Sequence, residues 1–302
     1  MNAKAVGGAS LSLLVAVDGS AHSDAAVHWL ASLGTAQKVV RCVILNVQKP
    51  VMAGEVGVIL PASVAIAERT QHAEDILKTA AGVLRLAGLE YAVERKTEAD
   101  AATAVLACAE AHGCHAIVVG RRGRGALRAA LLGSVSASVV RQATLPVIVI
   151  NAGSPPRAAA PLRILVACDG SAAAHHAATA AAHFALQAGG GDIHLMHVRP
   201  DLTVAGAIFG PREQLLQHWS GTDGDQAIAD VRGTIERMGC TCTVHPVFGD
   251  RPGEEVLRAA DKVGCGMVAM GTRGLGPVAG LLLGSVAQYV VERAHVPVLL
   301  TR

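Results

Sequence analysis

Short runs of apolar, often β-branched residues alternate with longer alanine-rich segments along the chain. In the first half, the apolar runs predict five strands, at residues 12–17, 41–47, 91–96, 115–119 and 147–150. Helical spacing of apolar residues predicts helices between them, at residues 24–33, 65–86, 101–111 and 134–142. We expect Ser23 to cap the first helix and Gly34 to end it. This alternation is typical of a parallel sheet covered by helices on both faces.

The same pattern occurs twice. The segment LLVAVDGSA at residues 13–21 returns as ILVACDGSA at residues 164–172, so that Asp169 repeats Asp18 at an offset of 151 residues. The second half therefore predicts strands at residues 163–168, 192–198, 241–248, 267–270 and 298–300. The stretch between the halves is rich in proline and small residues, as linkers are. We expect two domains, at residues 1–153 and 162–302, joined by a linker at residues 154–161.

Composition and charge narrow the function class. A net charge of +2 over 302 residues is too small to attract nucleic acid or membranes, and 2% aromatic residues leave few rings for stacking on bases. No apolar run approaches the roughly 18 residues that a membrane-spanning helix needs. Seven cysteines, an odd number, lie in apolar stretches and are interpreted as reduced core thiols. We therefore expect a cytoplasmic protein.

A glycine motif follows the fourth predicted strand of each half. It reads GRRGRGALRAALLGSVS from Gly120 and GTRGLGPVAGLLLGSVA from Gly271, and both copies fit Gly-x2-Gly-x9-Gly-Ser. Gly120 and Gly123 allow the backbone to approach a ligand and permit a positive φ. Gly133 and Ser134 then open a helix whose N–H groups and dipole favour an anion, with the Ser134 hydroxyl available to cap the helix or to donate to phosphate.

Glycines at a strand-to-helix turn also have a purely structural explanation, as does a serine at a helix start. The position of the motif favours a ligand site. Asp18 and Asp169 end the first strands, and the first and fourth strands of a doubly wound sheet lie side by side where the crossover direction reverses. We therefore expect the aspartate and the glycine loop of each half to face one cleft.

The AVDGS segment and the doubled glycine motif together resemble the universal stress protein family, over nearly the whole chain. The resemblance is to a tandem member of the ATP-binding branch, and it implies a Rossmann-like α/β fold with a five-stranded parallel sheet of order 3-2-1-4-5 in each half. It also implies ATP, with Mg²⁺, as the ligand of a nucleotide-dependent sensor or regulator in the stress response. The P-loop motif and the dinucleotide fingerprint after the first strand are both absent.

The resemblance also implies the binding residues, to which we add Arg122 and Arg273 as side chains within reach of phosphate. In the first half these residues are Ala16, Val17, Asp18, Val47, Val119, Gly120, Arg122, Gly123, Gly133, Ser134 and Val135. In the second half they are Ala167, Cys168, Asp169, Val198, Met270, Gly271, Arg273, Gly274, Gly284, Ser285 and Val286.

The chain departs from the family pattern at two places. The glycine usual after the third strand is kept as Gly249 but replaced by Glu98 in the first half. The acidic residue common before the fourth strand is replaced in both halves, by Cys114 with His115 and by Cys265 with Gly266.

Other functions remain open. A slow ATP-hydrolysing or phosphate-transferring enzyme is one, although no catalytic base stands out, and a scaffold with one or both clefts empty is another. His112, Cys114 and His115 lack the paired spacing of a zinc site, and we assign no metal ligands.

Two expectations concern how the halves relate. We expect them to pair through their last strands as an intramolecular pseudo-dimer, because sheet edges tend to seek partners; association of whole chains stays open. Four arginines in the first loop (Arg121, Arg122, Arg124 and Arg128), against Arg273 in the second, predict a tighter and more salt-sensitive first ATP site.

Overall fold

The computed structural model describes residues 11–36, 40–51, 62–124, 132–153, 162–188, 190–199, 221–274 and 283–302. The strands in these ranges are β1 (Leu11–Ala16), β2 (Val40–Gln48), β3 (Glu90–Thr97), β4 (Ala116–Gly120), β5 (Val147–Ile150), β6 (Leu162–Ala167), β7 (Gly191–Arg199), β8 (Thr241–Phe248), β9 (Met267–Gly271) and β10 (Val298–Thr301). The helices are α1 (Ala21–Ala36), α2 (Ala62–Leu86), α3 (Ala101–Ala111), α4 (Ser134–Gln142), α5 (Ala172–Gln187), α6 (Gly221–Arg237), α7 (Pro252–Val263) and α8 (Ser285–Arg293).

All ten of these strands form one sheet, in the order β3-β2-β1-β4-β5-β10-β9-β6-β7-β8. Within each half the pairs are parallel, and each half has the predicted order 3-2-1-4-5. The predicted fold class is therefore confirmed. In this order the chain reverses its crossover direction between the first and fourth strands, which places the ends of β1 and β4 beside one crevice.

The halves meet through their last strands, as predicted. β5 and β10 pair antiparallel, with Val149 opposite Val298 and Val147 opposite Leu300. On one face of the sheet the rings of Trp29 and Phe184 stack across this seam, with centroids 6.3 Å apart. Antiparallel pairing of equivalent strands relates the halves by a pseudo-twofold axis, as in a symmetric dimer.

The inner strands β4, β5 and β9 are apolar throughout because both faces of the sheet are covered. Leu13 and Val15 of β1 pack into one core cluster, while Leu14 packs into the cluster on the opposite face. The first cluster lies under α1, α2, α5 and α6, and the second under α3, α4, α7 and α8. Such continuous apolar runs are typical of parallel strands in α/β proteins.

Two predicted helix signals are wrong. α1 begins at Ala21, so its cap is Ser20, whose Oγ accepts from the Ser23 N–H at 3.3 Å. Gly34 lies inside α1 and does not end it. A Cβ there would overlap the side chain of Leu89, so the glycine allows the turn between α2 and β3 to pack closely on α1.

The predicted linker, at residues 154–161, lies outside the described residues. Among the helices that the structure does describe, none has the length and apolar character needed to cross a membrane.

Candidate functional site

A cavity of about 620 Å³ opens at the carboxyl ends of β1, β2 and β4 in the first half. All eleven binding residues predicted for this half line it. The other lining residues are Ser20, Ser23, Leu45, Asn46, Gln48, Ala101, Val105, Arg124, Leu132 and Ser136. A volume of this size lies within the range of small-molecule sites, roughly 300–1,000 Å³.

Asp18 connects the end of β1 to the glycine loop. Its Oδ1 accepts from the Ser20 N–H and its Oδ2 from the Arg124 N–H, each at 3.0 Å. The Ser20 hydroxyl donates to the Arg122 carbonyl at 3.2 Å. One carboxylate and one hydroxyl thus hold the loop against the sheet, which fixes the wall of the cavity.

The loop glycines are required by close packing. A Cβ on Gly123 would lie 2.5 Å from Asp18 Oδ2, and one on Gly120 would lie 2.8 Å from the backbone of His22. The prediction of positive φ at this turn is wrong, since neither residue adopts it, whereas Gly19 in the Asp-Gly-Ser segment does, at φ 74°. The chain leaves β4 in an ordinary conformation, and it is the protein itself that fills the space of the missing Cβ atoms.

The start of α4 forms part of the cavity wall. Gly133 is the N-cap and Ser134 the first helical residue, so the option that Ser134 caps the helix is wrong; no side chain forms a cap hydrogen bond here. The Gly133 N–H donates to the Arg121 carbonyl at 2.9 Å, and the Ser136 hydroxyl donates to the Gly120 carbonyl at 2.7 Å. A helix start without a side-chain cap presents N–H groups and a positive dipole end to an anion.

Asn46 and Gln48 form the other end of the cavity, and sequence reasoning missed both. Asn46 donates from Nδ2 to the Val17 carbonyl at 2.7 Å and accepts on Oδ1 from Gln48 Nε2, also at 2.7 Å. Val47, between them, lines the cavity as predicted. Asn46 is 1% exposed. A buried amide in an otherwise apolar strand was the available signal, because buried polar groups need specific partners.

The loop arginines divide between the cavity and the seam. Arg122 and Arg124 line the cavity, and the Arg124 guanidinium contacts His72 Nε2. Burial and the charge of Arg122 lower the pKa of Arg121, while Glu292 of α8 acts in the opposite direction. Arg121 therefore lies near the second half. Arg128 falls outside the described residues.

The second half repeats this construction. Asp169 Oδ1 accepts from the Ser171 N–H at 3.0 Å, and a Cβ on Gly274 would overlap the Asp169 carboxylate. Gly284 is the N-cap of α8, again without a side-chain cap, and its N–H donates to the Thr272 carbonyl at 2.8 Å. The same aspartate, loop and helix start therefore meet at the corresponding edge of the sheet.

The predicted residues of the second half all lie at this edge. They are Ala167, Cys168 and Asp169 at the end of β6, Val198 at the end of β7, Met270 and Gly271 at the end of β9, Arg273 and Gly274 after it, and Gly284, Ser285 and Val286 at the start of α8. His197 takes the place of Asn46, since its Nδ1 lies 2.8 Å from the Cys168 carbonyl. A carbonyl oxygen only accepts, so Nδ1 carries the proton.

Comparison with known proteins agrees with this geometry. The model of the universal stress protein family matches residues 12–151 and again residues 162–302. The chain belongs to the universal stress protein family. A universal stress protein of Mycolicibacterium smegmatis is 32% identical over 300 residues, covering 96% of each chain, and one of Mycobacterium tuberculosis strain H37Rv is 28% identical over 298 residues, also covering 96% of each.

Solved structures show the same fold. A universal stress protein from Archaeoglobus fulgidus superposes with a TM-score of 0.68 at 24% identity, covering 96% of this chain and 98% of that one. A putative universal stress protein from Pseudomonas aeruginosa superposes with a TM-score of 0.54 at 16% identity, covering 97% and 94%. At these identities the likeness concerns architecture.

The departure from the family pattern at Glu98 has a local explanation. A Cβ on Gly249 would lie 2.9 Å from Glu255 Cγ, so the second half needs glycine here. The first half has Ala104 at the position of Glu255, and Glu98 is exposed and is not among the cavity-lining residues. The halves therefore differ at both positions, and Glu98 does not form part of the cavity wall.

Cys114 and His115, the other departure, are structural. Cys114 is buried, and His115 Nδ1 accepts from the Ser12 N–H at 2.9 Å. His112 lies apart from them and bonds Glu94 at 3.2 Å. Within the described ranges, no three His, Cys, Asp or Glu side chains are grouped as a metal site would require.

None of the seven cysteines forms a disulfide, and burial raises the pKa of each thiol. The pKa rises to about 12 at Cys42 and Cys265 and to about 11 at Cys108 and Cys242. Thiols in this state are protonated at neutral pH and react slowly.

Proposed function

We propose that this universal stress protein binds ATP, with Mg²⁺, in both halves and acts as a nucleotide-dependent sensor or regulator of the stress response. The observation that carries the proposal is the cavity of the first half, which is lined both by the ends of β1 and β2 and by an uncapped helix start. One end offers apolar walls and backbone groups to a base. The other offers N–H groups, a helix dipole and arginines to phosphates.

The base end is pre-ordered by hydrogen bonds. Asn46 bonds both the Val17 carbonyl and Gln48, and Val47 between them lines the cavity. Apolar contacts to a base would come from Ala16, Val105 and Leu132. A pre-ordered site loses little entropy when it binds its ligand.

The phosphate end is suited to a triphosphate with its metal. Ser134 and Val135 start α4 at the cavity, and Arg122 and Arg124 line the same cavity. Mg²⁺ prefers carboxylate and phosphate oxygens, and Asp18 is the acidic residue among those that line the cavity. Bound ATP would thus meet helix N–H groups, guanidinium groups and one metal-competent carboxylate.

A sensor is favoured over an ATPase by how Asp18 is used. A hydrolase needs a group that orients or deprotonates the attacking water. Both Asp18 oxygens already accept backbone N–H groups from the loop, at 3.0 Å. The carboxylate therefore ties the loop to β1; each oxygen keeps a second lone pair that can meet Mg²⁺, but the group is not free to turn toward an attacking water. The buried reduced thiols support a cytoplasmic location, where thiols remain reduced.

Nucleotide content tests the proposal. Protein purified without added nucleotide is denatured, and the released small molecules are separated and quantified beside a Val135→Glu, Val286→Glu double variant. The new carboxylates sit in the first turn of α4 and α8, where they favour the helices but repel phosphate. We expect adenine nucleotide in the wild type and loss of it in the double variant.

Calorimetric titration with MgATP of protein stripped of nucleotide completes the test. Binding heat in the wild type and none in the double variant supports the proposal. Absence of heat in correctly folded wild-type protein would rule out ATP as the ligand, and equal heat in both proteins would rule out the assigned sites.

A further inference from the structure

The residue that follows the last strand of each half bonds to the last helix of the other half. Asn151, which is 9% exposed, donates from Nδ2 to the carbonyls of Val291 and Ala294, at 3.1 and 2.9 Å. These carbonyls lie at the carboxyl end of α8. Its counterpart Arg302 donates from Nη1 to the carbonyl of Arg141, at the carboxyl end of α4, at 2.6 Å.

The residue before each of these is tied to the glycine loop of its own half. The Arg121 N–H donates to the Ile150 carbonyl at 2.7 Å, and the Arg121 carbonyl accepts from the N-cap Gly133 at 2.9 Å. Arg121 therefore connects the end of β5 both to the loop and to the start of α4.

The second half has the same two bonds. The Thr272 N–H donates to the Thr301 carbonyl at 2.7 Å, and the Thr272 carbonyl accepts from the N-cap Gly284 at 2.8 Å.

These bonds and the two cross-seam contacts form a closed circuit. It runs from the first loop through β5 to the end of α8, along α8 to the second loop, and through β10 and α4 back to the first loop.

Each helix in the circuit has one end at a cleft and the other end held by the opposite half. α8 is nine residues long, about 13.5 Å at 1.5 Å per residue, so its two ends lie close together. An anion that drew the start of α4 and its loop toward itself would act on the end of β5, and through it on the contact of Asn151 with α8.

We propose that the two clefts are energetically coupled through α4 and α8, so that nucleotide in one cleft changes the binding properties of the other. This inference rests on the proposed function of the clefts. Because coupling between equilibrium binding sites is reciprocal, each nucleotide changes the affinity of the other by the same factor.

The two contacts across the seam differ in strength. The contact of Asn151 with α8 is stronger than that of Arg302 with α4. Asn151 is buried and makes two bonds to the end of α8, while Arg302 is exposed and makes one bond to the end of α4. Arg121 adds a charge that faces Glu292 of α8, where the second half has the neutral Thr272. Removal of Asn151 should therefore weaken the coupling more than removal of the Arg302 side chain.

Amide hydrogen exchange on a chain with only the first site intact tests the coupling. In the Val286→Glu variant, MgATP fills the first cleft alone, and calorimetry on the same sample verifies that it has bound. We expect exchange at the last turn of α8, including the Ala294 amide that bonds Val290, to slow by about fivefold. Edge strand β8 lies outside the circuit and serves as the internal control.

The same measurement on Asn151→Leu and Arg302→Ala, each in the Val286→Glu background, tests the route. We expect Asn151→Leu to abolish the response of α8 while MgATP still binds. Arg302→Ala removes an exposed side chain and so keeps the fold; it should reduce the response by less than half. If Asn151→Leu does not fold, a response reduced in Arg302→Ala still supports the circuit, and a response unchanged there overturns it.

The experiments distinguish failure of the coupling from failure of the proposed function. Binding heat on titration with MgATP, together with unchanged amide hydrogen exchange in α8, would overturn the coupling and leave the proposed function intact. Absence of ATP heat in the folded wild-type chain would overturn the proposed function itself, and the coupling with it.

Discussion

The two halves share a scaffold and differ in the side chains around it. Asp18 and Asp169 each bond the serine two residues later, Ser20 or Ser171, at 3.0 Å, and each meets a loop glycine too closely for a Cβ. Both halves thus have the same residues where close packing requires them, and these residues build the cleft. The residues that differ between the halves are those that can change how strongly each cleft binds.

The tuning positions lie at both ends of the cleft. The amide of Asn46 in the first half becomes the imidazole of His197 in the second, with the same bond to the end of the first strand. Arg124, which lines the first cavity, corresponds in sequence to Leu275. We therefore expect the halves to bind the same class of ligand with different strength and salt dependence.

The largest expected effect is the slow alkylation of the buried thiols. At pKa 12, a thiol has about a thousandfold less thiolate at pH 8 than at its ordinary value of 9, so Cys42 and Cys265 should resist alkylation. Cys242 is the partly exposed thiol and should react first, which would make the second half the more reactive. Mass spectrometry of iodoacetamide-treated native protein measures this; fast labelling of Cys42 would contradict the burial described.

Gly123→Ala should strongly weaken the first site. The new Cβ would lie 2.5 Å from Asp18 Oδ2, so the carboxylate must move and release the Arg124 N–H. We expect MgATP affinity in this half to fall about a hundredfold, equal to about 2.7 kcal/mol, with stability lower by about 1–3 kcal/mol.

Gly82→Ala is the matched control, because a Cβ at Gly82 of α2 meets open space. Alanine in a helix interior should raise stability by about 0.5–1 kcal/mol without changing binding. Thermal unfolding and calorimetry separate the two effects. Equal behaviour of the two variants would show that the glycine loop is not tightly packed on Asp18.

Arg124→Leu gives the first loop the residue of the second. We expect about a tenfold loss of MgATP affinity at low salt and a smaller loss at high salt, because screening weakens the wild-type contact. Arg85→Leu, on the exposed end of α2, controls for loss of charge alone. If the Arg85 variant shows the same salt-dependent loss, overall charge and not the loop accounts for the difference between the halves.

Element positions were predictable because both faces of the sheet are covered, which made central strands such as β4, β5 and β9 continuous apolar runs. The bounds of α3, α4, β5 and β8 match the sequence prediction residue for residue. Errors arose where tertiary contacts decide. Gly34 resembles a helix stop in sequence, yet it lies within α1, where the close contact of Leu89 leaves no room for a side chain.

The first cleft was also largely predictable, since family resemblance and the ends of two strands point to the same residues. Asn46, Gln48 and Ser20 were missed because their roles depend on partners remote in sequence or on the geometry of a turn. Ser20 bonds the carbonyl of Arg122, which lies 102 positions away. A sequence pattern does not reveal which loop will fold over a strand end.

The smallest expected effect is a loss of folding stability at acidic pH. Each half contains one histidine with a lowered pKa that contributes to it. Burial lowers the pKa of His22, with the charges of Arg121 and Arg122 adding to it; burial and His194 lower the pKa of His245. The unfolded chain therefore binds more protons than the folded chain as pH falls below about 6.5, so stability should decrease with acidification.

His22→Ala, which introduces the second-half residue Ala173, and His245→Gln test this separately. Each variant should show a shallower fall in unfolding temperature between pH 7 and pH 5 than the wild type. An unchanged or steeper slope would contradict the lowered pKa of that histidine.

Calorimetric titration of MgATP into Val135→Glu and Val286→Glu, at two salt concentrations, tests the central claim most directly. Val135 lines the first cavity and Val286 is its counterpart in α8. Two unequal nucleotide sites predict that Val135→Glu removes the tighter, salt-sensitive binding and Val286→Glu the weaker one. Loss of the weaker binding in Val135→Glu would reverse the assignment of the halves, and unchanged titrations in both variants would contradict the sites altogether.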